Sequence, residues 1–257
     1  MNARISWILM TPVKGLALEL PDEVELLEDG VRGDRRFFLI DERNKLVNNM
    51  GRRSPLELVH AGYDESANEL TMHLVGGRVL TGLAEQTDEV TVNFHREARS
   101  ARRVPGPWDG KLSELAGEPV RLVAGACAAP DRGLDGAATL LATASLGALA
   151  EELGVEQIDP RRFRMNFGIE GLEPHAEDGW TGRRVKVGDA VVVPQGHVGR
   201  CAITKQNPDT GLSDLDTLKA IARYRGALEL TEPLPFGVHA AVAEPGRVRV
   251  GDAVTVL

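Results

Sequence analysis

Val185-Lys186-Val187-Gly188-Asp189-Ala190-Val191-Val192-Val193 sets valines on both sides of a Gly-Asp pair, the pattern of a strand, a tight turn and a second strand. Val248-Arg249-Val250-Gly251-Asp252-Ala253-Val254-Thr255-Val256 repeats it almost letter for letter. Duplication, or simply the suitability of Gly-Asp for turns and of valine for strands, accounts for the echo equally well. On either account the C-terminal half is β. The N-terminal half reads the same way. RRFFLIDERNKLV (35–47) and ELTMHLVGGRVL (69–80) alternate apolar and polar positions, and Gly76-Gly77 falls where a hairpin needs positive φ.

Three helical stretches interrupt this background. Asp109 to Ala116 is a short helix with Asp109 as its cap and Leu112 and Leu115 facing inward. Thr143 to Leu153 carries Leu146, Leu149 and Leu153 on one face, a cap at Thr143 or Ser145, and Gly154 as its stop. A third is capped by Ser213, with Asp216 in its first turn, a stripe of Leu215, Leu218, Ile221 and Ala222, and Arg223 and Arg225 complementing its C-terminal dipole. The helices do not alternate regularly with strands, which favours a barrel over a doubly wound sheet. The Gly/Ala/Asp-rich run within 119–138 reads as a connection between two parts.

At 257 residues, 42% hydrophobic and 26% charged, the chain can bury one large core or two smaller ones. A net charge of −8 argues against general affinity for nucleic acid, which demands a basic face. The first residues hold only a short apolar run broken by Pro12 and Lys14, and no stretch approaches the roughly 20 apolar residues a membrane helix requires. The expectation is a cytoplasmic protein with neither membrane nor nucleic-acid partner. Two cysteines, Cys127 and Cys201, are too few for a disulfide framework, and no C-x-x-C pair offers a zinc site.

Cys201, in HVGRCAITKQNPDTG (197–211), follows a strand-like run and precedes turn residues, which places it at a strand end. With Arg200 beside it to favour the thiolate, it is a soft metal ligand, a nucleophile or a sulfur acceptor; the competing reading is a buried structural cysteine. In Asp159-Pro-Arg-Arg-Phe-Arg-Met-Asn166, a strand with Phe163, Met165 and Phe167 inward would put Arg162, Arg164 and Asn166 on the opposite face. Such a face either clamps a phosphate and the edge of a heterocycle or is an ordinary salt-bridged surface. Lys14 and Arg35-Arg36 lie in Gly-flanked turns that let backbone approach an anion. His60, His73, His95, His175 and His197 show no metal-ligand spacing and are set aside, Trp180 is read as packing, and Cys127 as a small core residue.

Taken in order, Pro12-Val-Lys-Gly15, Gly33-Asp-Arg35, Arg162-Phe-Arg-Met-Asn166, Glu177-Asp-Gly-Trp180, Gly199-Arg-Cys-Ala-Ile-Thr204, Asn207-Pro-Asp-Thr-Gly211, Phe236-Gly-Val238 and the run from Pro245 to Asp252 resemble the MOSC family nearly end to end. That family includes the C-terminal part of molybdenum-cofactor sulfurase and the amidoxime-reducing molybdoenzymes. The resemblance implies a mostly β fold: a smaller N-terminal β-barrel domain over 1–118, then a β-barrel MOSC domain with a few helices over 119–257. It implies a molybdenum cofactor (Mo-molybdopterin) with Cys201 as metal ligand and catalytic residue. It assigns Lys14, Arg35, Arg164, Asn166 and Arg200 to the pterin and its phosphate, and adds Gly15, Thr143, Gly199 and His239 to the cofactor-binding set. Gly15 and Gly199 stand where the amidoxime reducers have serines, and His239 where they have a tyrosine. Backbone amides can replace a hydroxyl as donor, so these departures bear chiefly on substrate choice.

Three functions compete at this point. The first is reduction of small N-hydroxylated substrates. Its electrons would come from a separate donor protein, ferredoxin-like or a haem protein with its reductase, because the chain lacks a four-cysteine iron–sulfur set. The second is a sulfur carrier bearing a persulfide on Cys201. The third is a noncatalytic module that binds pterins or other anions.

Overall fold

The computed structural model describes residues 3–47, 55–95, 97–126 and 131–257. Cys127 lies outside the described residues. The first half of the chain forms β1 (Arg4–Ile8), β2 (Glu23–Leu27), β3 (Gly30–Val31), β4 (Phe37–Asp41), β5 (His60–Asp64), β6 (Glu69–His73), β7 (Val79–Leu83), β8 (Glu89–Phe94), β9 (Glu97–Arg103), α1 (Asp109–Ala116) and β10 (Val120–Gly125). The second forms β11 (Ala138–Ala142), α2 (Thr143–Leu153), β12 (Phe167–Glu170), β13 (Val185–Val187), β14 (Ala190–Gly199), α3 (Thr217–Arg225), β15 (Pro235–Glu244), β16 (Gly246–Arg249) and β17 (Val254–Val256). The fold is mostly β, as expected.

A seven-stranded sheet in the order β1-β12-β11-β15-β14-β13-β17 curls into a nearly closed barrel. Its two edges approach through an antiparallel bridge from Arg4 to Ala253 and through bonds from Ile5 N–H to Asp252 O (2.9 Å) and from Val254 N–H to Ala3 O (2.9 Å). The inward residues of these strands, Ile5, Ile8, Leu140, Phe167, Ile169, Val192 and Val238 among them, pack with Trp180 and with Val24, Leu26 and Val248 of the small sheet β16-β2-β3. A second core gathers Phe37, Leu39, Met72, Trp108 and Leu112 between the sheets β4-β10-β9-β8 and β5-β6-β7 and helix α1. Strands from both sides of residue 118 share sheets: β1 joins the barrel, and β10 pairs with β4 and β9.

The β6–β7 hairpin turns on Gly76 (φ 89°) and Gly77 (φ 84°), where an L side chain would be strained. The repeated Gly-Asp motif turns in both copies. Only the first is a hairpin, β13 with β14; in the second, β16 pairs with β2 while β17 returns to β13. Helix boundaries follow the sequence for α1 and α2, and Gly154 stops α2 in the left-handed region (φ 68°). The caps differ. Trp108, Ala142 and Asp216 occupy the N-cap positions and none makes a side-chain capping bond, so Asp109, Thr143, Ser145 and Ser213 are not the caps they resemble. In α3, Ala220 rather than Ala222 is buried, and Arg225 is drawn inside to pair with Asp178 at 2.5 Å.

The expected strand over Arg162–Asn166 is a turn. Asp159 accepts the Arg161 N–H (2.8 Å) with Pro160 at the first position of a 3-10 turn, Pro160–Phe163, and Arg164 follows in the left-handed region (φ 54°). Arg162 and Arg164 therefore part company. Arg162 is buried against Asp214 (2.7 Å) and the Lys205 carbonyl (3.2 Å), while Arg164 faces a cavity.

Candidate functional site

A cavity of about 420 Å³ lies at the end of the barrel nearest the second core. Five stretches of chain wall it, with Val47 and His95 adding single residues. Lys14 and Gly15 come from the loop after β1, held by the Lys14 N–H donating to Phe37 O (2.8 Å), and Asp34 and Arg35 from the turn before β4. Residues 131 to 139 form one side, Phe163 to Asn166 another, and the end of β14 with Arg200, Cys201 and Ile203 the floor.

Asp34 ties these stretches together. Only 4% of its side chain is exposed; its carboxylate accepts the Thr11 N–H (2.8 Å) and the Asn166 Nδ2 (2.9 Å) and pairs with Arg35. Asn166 spends its remaining groups internally: Nδ2 also donates to Leu9 O (3.3 Å), and Oδ1 accepts from Thr139 Oγ1 (2.9 Å). It lines the cavity while acting as a strut.

Two guanidiniums face the cavity and bond to carbonyls rather than to carboxylates. Arg164 donates to Leu16 O (2.7 Å); its pKa is pushed down to about 10, by burial first and then by the charge of Arg35. Arg200 donates to Phe236 O through Nε (3.0 Å) and Nη2 (2.8 Å), and to Phe163 O (2.9 Å), and lies over the Phe163 ring at 5.5 Å. Burial pushes its pKa down to about 9, opposed in part by Cys201. Both stay cationic at neutral pH, so the cavity holds positive charge that the protein does not fully balance. Arg35 adds a third, donating to Arg164 O (2.6 Å) as well as to Asp34.

Cys201 lies two residues beyond β14, at the head of the 3-10 turn Ala202–Lys205, and its side chain is free and exposed. A buried structural cysteine is thereby excluded. The thiol shares the cavity with Arg200, Arg164, Arg35 and Lys14, drawn from both halves of the chain.

Of the residues singled out in the sequence, Lys14, Gly15, Arg35, Arg164, Asn166, Gly199, Arg200 and Cys201 line this one cavity. Thr143 does not: it opens α2, and the threonine that faces the cavity is Thr139. Nor does His239, whose Nδ1 lies 2.8 Å from Asp135 O and steadies the wall. Sequence reasoning missed Asp131, Arg132 and His95. Asp131 bonds Lys14 Nζ (2.6 Å) and His95 Nε2 (3.3 Å) and is held well below the usual carboxylate range: burial would raise its pKa, but Lys14, His95 and Arg35 outweigh it. Arg132 forms a bidentate pair with Glu232, which also accepts the Gly199 N–H (2.8 Å). Nothing in a Gly/Ala/Asp-rich run separates Asp131 and Arg132 from loop residues. A smaller cavity of about 240 Å³ adjoins through Arg164 and Ile203 and is lined by Glu57, whose buried Oε1 has no hydrogen-bond partner among the described residues.

Residues 128–255 match the MOSC domain, and the chain carries one. Mitochondrial amidoxime-reducing component 1 of Mus musculus is 37% identical over 46% of this chain and 36% of its own length. The Homo sapiens protein of the same name is 32% identical over the same shares. Molybdenum cofactor sulfurase of Arabidopsis thaliana is 35% identical over 28% of this chain and 9% of its own length. The chain thus spans about a third of the length of the amidoxime-reducing relatives and under a tenth of the sulfurase. Among solved structures, the YUAD protein of Bacillus subtilis covers 99% of this chain and 94% of its own at 13% identity and a TM-score of 0.48. No helix among the described residues is long and apolar enough to cross a membrane.

Proposed function

We propose that the cavity binds a molybdenum cofactor with the Cys201 sulfur as the metal's protein ligand, and that the chain reduces N-hydroxylated compounds with electrons from a separate donor protein. One observation carries this reading: an exposed thiol opens into a cavity whose Arg164 and Arg200 guanidiniums, among the described residues, donate to carbonyls and the Met165 sulfur and to no carboxylate. An anionic pterin phosphate matches that charge, and a thiolate is the soft donor such a metal takes. Among the described residues no group of three or more His, Cys, Asp or Glu is placed to hold a metal unaided, so the remaining ligands would come from the cofactor. When bound, the cofactor supplies oxygen-atom transfer and two-electron redox chemistry. The chain supplies position and field. Arg200, locked by Phe163 O and Phe236 O, keeps a fixed positive charge beside the sulfur, Arg164 and Lys14 meet the phosphate, and the walls limit water.

Molybdenum measured in protein made by a cofactor-competent host is expected near one atom per chain, on the order of a stoichiometric site. It should vanish on Cys201→Ala, and retention of metal in that variant contradicts the assignment. A sulfur carrier remains the second reading, favoured by the same exposed thiol and by the partial match to molybdenum cofactor sulfurase. On the same preparation it would show as the mass of one extra sulfur atom on Cys201, removable by dithiothreitol.

A further inference from the structure

We propose that Asp131 is a placeholder counter-ion: its carboxylate holds Lys14 until an anionic group of the incoming ligand, of the phosphate monoester class, replaces it. The inference rests on the reading of the cavity as an anion site.

Among the described residues three carboxylates pair with cations of the cavity, and they differ in how firmly they are held. Asp34 is 4% exposed and accepts a backbone and a side-chain N–H besides pairing with Arg35. Glu232 accepts the Gly199 N–H and grips Arg132 with both oxygens. Removing either would strand buried donors. Asp131 is 41% exposed, and among the described residues its carboxylate has Lys14 Nζ and the half-exposed His95 ring as direct partners. Lys14 itself is only 18% exposed, so the pair opens to solvent on the Asp131 side, and it is that carboxylate which can exchange for an incoming anion. The wall that carries Asp131 is fastened independently, by Arg132 to Glu232 and by Asp135 O to His239. The side chain can therefore swing away without the wall moving. Surrounded by Lys14, His95 and Arg35, it stays ionised, so a dianion arriving at Lys14 meets a competitor of its own sign.

Inorganic phosphate titrated calorimetrically into the full chain at low ionic strength tests this. Asp131→Asn should bind phosphate about tenfold more tightly than the parent, and adding Lys14→Met should remove the gain. Asp131→Ala serves as a second variant should the amide find a new partner, and thermal unfolding checks that each is folded. Equal or weaker binding in both Asp131 variants, a gain that survives Lys14→Met, or no binding by any of them overturns the placeholder. Molybdenum loading of the parent is read separately, so the cofactor assignment can stand when this one fails.

Discussion

Gly199 shows how closely the thiol-bearing strand is packed. A Cβ built there would lie 2.5 Å from Glu232 Oε2 and 2.9 Å from Pro233 O, distances that real side chains do not tolerate. A serine at this place would displace the Glu232 carboxylate and release Arg132. Gly199→Ala should accordingly cost about 1 to 3 kcal/mol, the usual penalty of overpacking, read as a lowered midpoint in denaturant unfolding. Glu232→Ala in the same chain should not restore the midpoint, because it strands the Gly199 N–H and Arg132 and leaves the backbone oxygen of Pro233 where it is. An unchanged midpoint in Gly199→Ala would mean that the 231–234 segment yields freely.

At the scale of elements, the turn over Pro160–Phe163 does more for the site than any helix. Asp159 caps it through the Arg161 N–H and pairs with the Arg161 side chain at 2.5 Å, and the left-handed Arg164 that follows owes its direction to this stop. Asp159→Ala is expected to cost about 1 kcal/mol of stability, as lost caps do. It should also weaken phosphate binding, measured calorimetrically, because Arg164 is no longer aimed. Here the sequence was misleading: Phe163, Met165 and Phe167 do alternate and are all buried, but an Asp-Pro start overrides the two-residue period. The β6–β7 hairpin and the bounds of α1 and α2 were legible because Gly76-Gly77 and the leucine spacing act locally. The cationic half of the site was legible for the same reason, since Lys14, Arg35, Arg164 and Arg200 sit in short distinctive motifs. Asp131, His95 and Thr139 were not, because only the packing of a hairpin, a wall and a strand against one another makes them neighbours of Lys14 and Asn166.

For the molecule as a whole, several buried titratable groups set the pH response. Burial pushes the Glu57 and Glu177 carboxyls up to about 7, and pushes His175 down to about 4 with help from Arg225. A carboxyl with a raised folded-state pKa contributes stability in full below its unfolded value, and loses it as pH climbs through the folded one. A histidine with a depressed folded-state pKa does the opposite: its contribution is complete above its unfolded value and is lost as pH falls toward 4. The unfolding temperature should therefore peak in mildly acid solution and decline between about pH 4.5 and pH 7, the unfolded and folded values of the two carboxyls. Glu57→Gln with Glu177→Gln should flatten that decline, and an equally steep decline in the double variant would place its cause elsewhere.

The barrel closes through a stave supplied from the far end of the chain. β1 covers the open flank of β12 and reaches across to Asp252 and Ala253, yet it lies well outside residues 128–255. A fragment cut to the family's borders would part this seam, leaving a bare strand flank of the kind that recruits neighbouring molecules. It would also shed Lys14 and Arg35, and with them one whole side of the anion cradle. In this protein the catalogue outline of the domain is smaller than the object that folds.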